Sequence, residues 1–246
     1  MQKPNPHHDP TPIEQADIRI AARAARHRRH PALRAARVAA QIGDQPPLIA
    51  LTGAWLAYGV LAGDRRAVSG GGRALASLLL ATGIKAALKR LVSRTRPHVL
   101  LDEGRYAVEP LGPDQGSWHS FPSGHTAGSV AVARAVARIY PEVAPPAYAG
   151  ATAIGLVQVP LGRHYPLDVV AGALIGLWAE AGIDRLLGAV DGGEAALLRH
   201  VVPPAPERHR GHQGGEQGHQ ERERQHRPEG EVQAVVEQGP GRGVGG

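Results

Sequence analysis

In the stretch "VQVPLGRHYPLDVVAG", Val157 to Gly172, His164 and Asp168 stand four residues apart, where a Gly- and Pro-marked loop enters an apolar segment. Pro166 suits the first position of a helix, which leaves His164 just outside and Asp168 in the first turn. A carboxylate there can fold back, as in a capping box, and accept a hydrogen bond from one imidazole nitrogen. That contact fixes the tautomer and frees the other nitrogen as a nucleophile or base. Alone, a capping aspartate beside a loop histidine accounts for the same residues.

Two further clusters lie upstream. In "SWHSFPSGHTAG", Ser117 to Gly128, Ser123 is a good N-cap, with Gly124 and His125 opening the helix behind it. Free N–H groups at such a start attract an anion, and Gly124 lets the backbone approach closely. In "KRLVSRTRP", Lys89 to Pro97, Lys89 and Arg96 are seven apart. On one helix that spacing points both cations from one face, about 10 Å apart along the axis. Pro97 is expected to end that helix at Arg96. The plainer readings are an ordinary serine cap and cations complementing a helix C-terminus.

The elements that would hold these groups are helical. Five apolar segments follow one another: Leu48–Gly63, Ala74–Val92, His125–Tyr140, Ala144–Gly162 and one starting at Pro166. None shows the period-2 alternation of a strand, so the expected fold class is all-α. Each segment is shorter or more charged than the ~20 apolar residues a lone spanning helix wants. A soluble core and a polytopic bundle with inward-facing charges therefore compete, and the Gly172-x-x-x-Gly176 pair favours the bundle. If the last four segments alternate in direction, the three clusters share one face. Arg134 and Arg138 on the third segment line the pocket, snorkel to an interface or pair with Glu180.

Residues 14–46 carry Arg19, Arg23, Arg26, Arg34 and Arg37 at helical spacing, with a break at Pro31. They read as a basic amphipathic segment on a membrane or as a solvated face. The arginines before Leu48 favour a cytoplasmic N-terminus. No secretory signal is expected, because the N-terminus is polar. Residues 1–13 and 203–246 are too poor in apolar side chains to offset their ordering entropy and are expected to be disordered, with 189–202 as a connector. The irregularly spaced tail histidines, His209, His212, His219 and His226, read as solvated rather than metal-binding. What remains, about 190 residues, suits one core, with the chemistry in 47–188. The net charge of +6 suits an anionic partner without choosing among kinds. The absence of cysteine excludes thiolate metal sites and a cysteine nucleophile.

Lys-x6-Arg-Pro, Pro-Ser-Gly-His and His-x3-Asp, in that order, resemble the type 2 phosphatidic acid phosphatase superfamily, which includes lipid phosphate phosphatases, class A acid phosphatases and vanadium haloperoxidases. The resemblance covers about Leu48 to Leu187. It implies a compact helical bundle, here with about five short membrane spans. It also implies hydrolysis of a lipid phosphate or pyrophosphate, polyprenyl or glycerolipid, through a phosphohistidine, with no metal, cofactor or nucleic acid. His164 would attack phosphorus, Asp168 would orient it, and His125 would protonate the leaving oxygen. Lys89, Arg96, Ser123 and the Gly124 N–H would hold the phosphoryl oxygens. A lipid-binding protein without activity and a soluble acid phosphatase are the alternatives, and a haloperoxidase ranks behind both.

One position departs from the family's pattern. Its third motif usually reads Ser-Arg-x5-His-x3-Asp, which puts Val157 at the serine and Gln158 at the arginine. Glutamine donates a hydrogen bond but brings neither charge nor a bidentate fork. Arg163 could reach in from the neighbouring position. Loss of one comparable transition-state donor costs ~10²–10³ in rate. Activity is therefore expected to be reduced but real, and Gln158→Arg to raise turnover of the purified protein. No gain on any lipid phosphate would remove Gln158 as the defect.

Overall fold

In a computed structural model the described residues are 10–113 and 115–201, with side chains described through Ala189. The chain divides into Met1–Ala196 and Leu197–Gly246. Most of the second unit, including the tail expected to be disordered and its histidines, lies outside the described residues.

The helices are α1 (Pro12–Ala24), α2 (Pro31–Ala39), α3 (Gln45–Ala62), α4 (Arg65–Leu91), α5 (Pro97–Glu103), α6 (Gly124–Ile139), α7 (Ala144–Val157) and α8 (Pro166–Val201). The first begins earlier than expected because "TPIE" is a capping box. Thr11 accepts from Glu14 N–H, and the Glu14 carboxylate returns to the Thr11 backbone. Pro31 opens α2 after a short break, as its missing N–H allows. The last helix continues through the segment read as a connector.

Two expectations are corrected. The fold is not purely helical: β1 (Val92–Arg94) pairs antiparallel with β2 (Val108–Pro110), placing Arg94 opposite Val108. Strands of three residues are too short to show alternation. That ribbon also separates Lys89 from Arg96. The helix carrying Lys89 ends at Leu91, and Pro97 starts α5 rather than ending α4, with Arg96 at its N-cap. The two cations therefore do not share a helical face.

The second apolar segment extends back to Arg65, capped by Asp64. Its Gly70-Gly71-Gly72 run lets α3 approach. A Cβ on Gly71 would lie 2.5 Å from the Leu56 backbone nitrogen. Likewise α8 lays Gly172 and Gly176 against the carbonyls of Ser123 and Ala127, each 2.5 Å from where a Cβ would stand. One buried cluster is accordingly built of small side chains, Ala81, Ala127, Ala131 and Ala179 around Ile175, while a second gathers Ala21, Val159 and Tyr165. Close backbone approach of this kind suits helix association where no hydrophobic force distinguishes partner from surroundings.

The large apolar side chains point outwards instead. Leu51, Tyr58 and Leu61 on α3, Leu79 on α4, Leu156 on α7 and Val170, Leu174 and Trp178 on α8 are all exposed. A surface of this kind marks contact with an apolar phase or a partner. Two helices, Arg65–Leu91 and the Pro166–Ala189 part of α8, are long and apolar enough to cross a membrane.

Gly71→Ala and Gly53→Ala separate packing from helix propensity. Gly71 has no room, and overpacking costs roughly 1–3 kcal/mol. Nothing lies within 4 Å of a Cβ at Gly53, where alanine should contribute up to about 1 kcal/mol. Melting of the detergent-solubilised protein should fall for the first and hold or rise for the second.

Candidate active site

Four chain segments meet at one end of the bundle. The C-terminal end of α4 supplies Lys85 and Lys89, and the turn after β1 supplies Arg96. The start of α6 brings Gly124 and His125, and the loop into α8 brings His164. All six line one cavity of about 210 Å³, with Asp44 from the turn before α3. The two imidazoles thus open on the same space.

His164 is buried, and its Nδ1 lies 2.6 Å from the carbonyl oxygen of Ser120. As the donor in that bond, Nδ1–H leaves Nε2 as the nitrogen with a lone pair. Asp168 does not take this proton, contrary to expectation, because its Oδ2 is 3.8 Å from His164 Nδ1. Its carboxylate is engaged elsewhere. Oδ1 accepts from Arg94 Nη1 at 2.9 Å, while Oδ2 accepts from Ser120 Oγ at 2.5 Å and from the Tyr165 N–H at 2.8 Å. Asp168 therefore acts on His164 as a nearby negative charge. Burial still holds the His164 pKa below the ordinary imidazole value, against the pull of Asp168.

Sequence reasoning missed the groups behind this pair. Arg94 is buried and joins Asp168 to Asp17 of α1, its Nη2 2.7 Å from Asp17 Oδ2. Its guanidinium stacks on Tyr165, 3.9 Å from the ring centre. Burial opposes the Arg94 charge, but Asp168, Tyr106 and Asp17 more than offset it, and the pKa is raised. Asp17 also accepts from the Leu167 N–H at 2.9 Å, tying α1 to the start of α8. Nothing in the local sequence distinguishes Asp17 or Arg94 from surface charges.

The remaining expected residues divide. Lys89 donates to the His119 carbonyl at 2.9 Å and faces the cavity. A Cβ on Gly124 would come within 2.9 Å of Lys85 Cδ, a contact the flexible lysine could relieve by moving. Lys85, one turn before Lys89, was legible as a second cation on that face. Ser123 is fully buried away from the cavity lining: its Oγ is 2.9 Å from Thr126 Oγ1, and its N–H donates to the Asp168 carbonyl. Gln158 is also fully buried off the cavity, its Nε2 donating to Ile154 of its own helix at 3.0 Å. Arg163 adds a second guanidinium to that of Arg96, with Nη1 3.4 Å from His125 Nε2. That same Nε2 stands 2.7 Å from Asp44 Oδ1, a partner with no local signal in sequence. A cation introduced at 158 would have to leave the packed end of α7 to join them.

Arg134 and Arg138 lie elsewhere. Both reach the buried Glu180, at 2.5 and 2.6 Å, twelve residues and about 18 Å of helix rise from Asp168. Among the described residues no three or more His, Asp or Glu side chains gather to hold a metal ion.

Residues 70–183 match the model of the PAP2 superfamily. This part of the chain belongs to that superfamily. The lipid A 1-phosphatase of Rhizobium johnstonii is 34% identical over 116 residues, 47% of this chain and 45% of the relative. The decaprenylphosphoryl-5-phosphoribose phosphatase of Mycobacterium tuberculosis is 35% identical over 117 residues, 46% of this chain and 59% of that protein. The chain thus spans about half the length of the curated relatives it matches. Among solved PAP2-type structures, Aquifex aeolicus LpxE aligns with a TM-score of 0.54 and 25% identity, covering 71% of this chain and 96% of that one. A transmembrane PAP2-type phosphatidylglycerolphosphate phosphatase from Bacillus subtilis shares the fold, with a TM-score of 0.51 at 20% identity over 74% and 89% of the two chains.

The Arg94 clamp has a measurable consequence. Arg94→Met strands two buried carboxylates, and breaking such a pair costs about 3–5 kcal/mol. Arg94→Met/Asp17→Asn removes one of the stranded charges while keeping an oxygen for Leu167 N–H. The double variant should melt at a higher temperature than the single one. An equal or lower melting point would mean that Asp17 and Arg94 are not coupled.

Proposed function

We propose that this chain is a membrane phosphatase that hydrolyses a lipid phosphate or pyrophosphate, glycerolipid or polyprenyl, through a phosphohistidine. The observation that carries the reading is the shared cavity. Two imidazoles and three cations surround a space the size of a small anion, at one end of a bundle with an apolar exterior. Phosphoryl transfer asks for little more than positioning and dispersed positive charge around the equatorial oxygens. The named relatives act on lipid A and on a decaprenyl-linked phosphate, which supports a lipid substrate here.

In this mechanism Lys89, Arg96 and the Gly124 N–H hold the phosphoryl oxygens, assisted by Lys85 and Arg163. His164 Nε2 attacks phosphorus in line with the leaving oxygen while Nδ1–H stays on the Ser120 carbonyl. The positive charge that develops on the ring is stabilised by Asp168. His125 gives a proton to the leaving lipid oxygen, then accepts one from the water that cleaves the N–P bond. Histidine is regenerated and inorganic phosphate is released. Asp44 keeps the His125 ring at the cavity and must yield its contact when substrate enters. Helices α3, α4, α6, α7 and α8 are the proposed spans. The exposed apolar side chains on four of them, Trp178 among them, face lipid, while the site sits at the headgroup level.

Quenching a turnover mixture containing ³²P-labelled phosphatidic acid in alkaline detergent should trap labelled protein that is base-stable and loses its label on later exposure to acid. His164→Ala should abolish the label, whereas His125→Ala should lower turnover at least ~10²-fold. Label that survives His164→Ala eliminates that histidine as the nucleophile. The same labelling followed against pH should decline on the acid side only below the ordinary imidazole pKa, and on the alkaline side as His125 loses the proton it gives to the leaving oxygen. His164 must be neutral to attack, and burial lowers the pH at which it takes a proton.

A further inference from the structure

A second cavity adjoins the first and contains no carboxylate. It measures about 320 Å³ and is lined by six arginines, with His98, Leu33 and Leu161. Four of the guanidiniums come from the N-terminal segment: Arg28 and Arg29 before α2, and Arg34 and Arg37 on one face of it. The other two are Arg96 and Arg163. Arg96 lines both cavities, and Arg163 reaches the His125 ring in the first. The wall between the spaces is therefore itself cationic.

Most of this charge is uncompensated. Arg28 pairs with Asp102. Among the described residues no carboxylate forms an ion pair with Arg29, Arg34 or Arg37. Burial and then Arg37 lower the Arg163 pKa, and burial and then Arg163 lower that of Arg96. Like charges gathered around a concave, partly desolvated space repel one another until an anion enters. Arg29, Arg34 and Arg37 are exposed and Arg28, Arg96 and Arg163 half-buried, and the six converge on this cavity from three chain segments. Guanidiniums are also the side chains best shaped for phosphate oxygens.

We propose that this arginine-lined cavity binds a second phosphoryl group of the same substrate molecule, next to the one held between His125 and His164. The inference rests on the phosphatase reading and narrows its substrate class to lipids carrying two phosphoryl groups close together. One guanidinium, Arg96, would contact both. The chain's N-terminal helices then serve recognition, since α2 supplies the far wall of the second site.

The test compares two substrates with identical acyl chains, diacylglycerol pyrophosphate and phosphatidic acid, in neutral detergent micelles. The intact protein should show a kcat/KM at least tenfold higher for the diphosphate. Arg34→Gln/Arg37→Gln should reduce the diphosphate-to-monophosphate ratio by tenfold or more, through KM. Equal loss on both substrates, or no loss, overturns the proposal. A titration of phosphatidylglycerol into the micelles separates the substrate's own phosphate from that of a neighbouring lipid. A variant effect that appears only with added phosphatidylglycerol makes the cavity a site for a bystander headgroup and overturns the proposal. So does inorganic phosphate that inhibits wild type but not the variant, with the ratio unchanged. Binding of non-hydrolysable methylene-bisphosphonate and monophosphonate lipids supplies a readout independent of turnover. If neither substrate is hydrolysed, the phosphatase reading fails. A tenfold binding preference for the bisphosphonate that the variant loses would still support the second site, and no preference would refute it.

Discussion

The site is held in place by one buried guanidinium. Arg94 lies between two carboxylates, Asp17 of α1 and Asp168 of α8, and packs its face on Tyr165. In doing so it joins the N-terminal helix, the ribbon after α4 and the start of α8. Asp168 in turn fixes the Ser120 hydroxyl, and the Ser120 carbonyl fixes the His164 ring. Both carboxylates are engaged, although Arg94 Nε and the Tyr165 hydroxyl are buried without a hydrogen-bond partner. Removing one charge of such a group leaves another buried and unpaired, which costs more than the pair returns. The position of His164 is therefore a property of four segments together.

Behind this layer the helices are brought close by the absence of side chains. Gly71 on α4 and Gly172 and Gly176 on α8 let backbones touch, and alanines fill most of what remains. This packing frees the large apolar residues for the exterior. A second charged layer, in which Arg73, Arg134, Arg138 and Asp184 surround the buried Glu180, closes the other end. Two ionic layers about 18 Å apart along α8, with an apolar exterior on the helices between, are an arrangement in which inward-facing charges pair with one another and the surface stays apolar.

At the site end positive charge exceeds negative, and it is divided between two adjoining cavities. Lys85, Lys89 and the histidines belong to the first; the N-terminal arginines belong to the second, and Arg96 belongs to both. Strong fields of one sign in concave, low-dielectric surroundings concentrate anions. The placement of α1 and α2 beside the site, secured by Asp17, makes a segment that read only as a basic surface part of the cavity wall.

The sequence by itself determined the helical elements, because their apolar lengths and caps are local properties. Pro166 at the start of α8, Ser123 before α6 and Pro31 before α2 all appear where their backbone chemistry requires. It also pointed to His125, His164 and Lys89, which line one cavity, through short motifs whose members lie within a few residues of each other. The three-residue strands were too brief to leave a period, and the extension of α4 back through Gly70 to Arg65 went unread because its partner helix is invisible to a local reading. What only the tertiary structure decided is which group faces which. Ser120 rather than Asp168 takes the His164 proton, Arg163 rather than Gln158 stands near the histidines, and Asp17 and Asp44 join from well over 70 residues away. Those contacts follow from burial and from the directions in which packed helices present their ends, and neither is encoded in spacing along the chain.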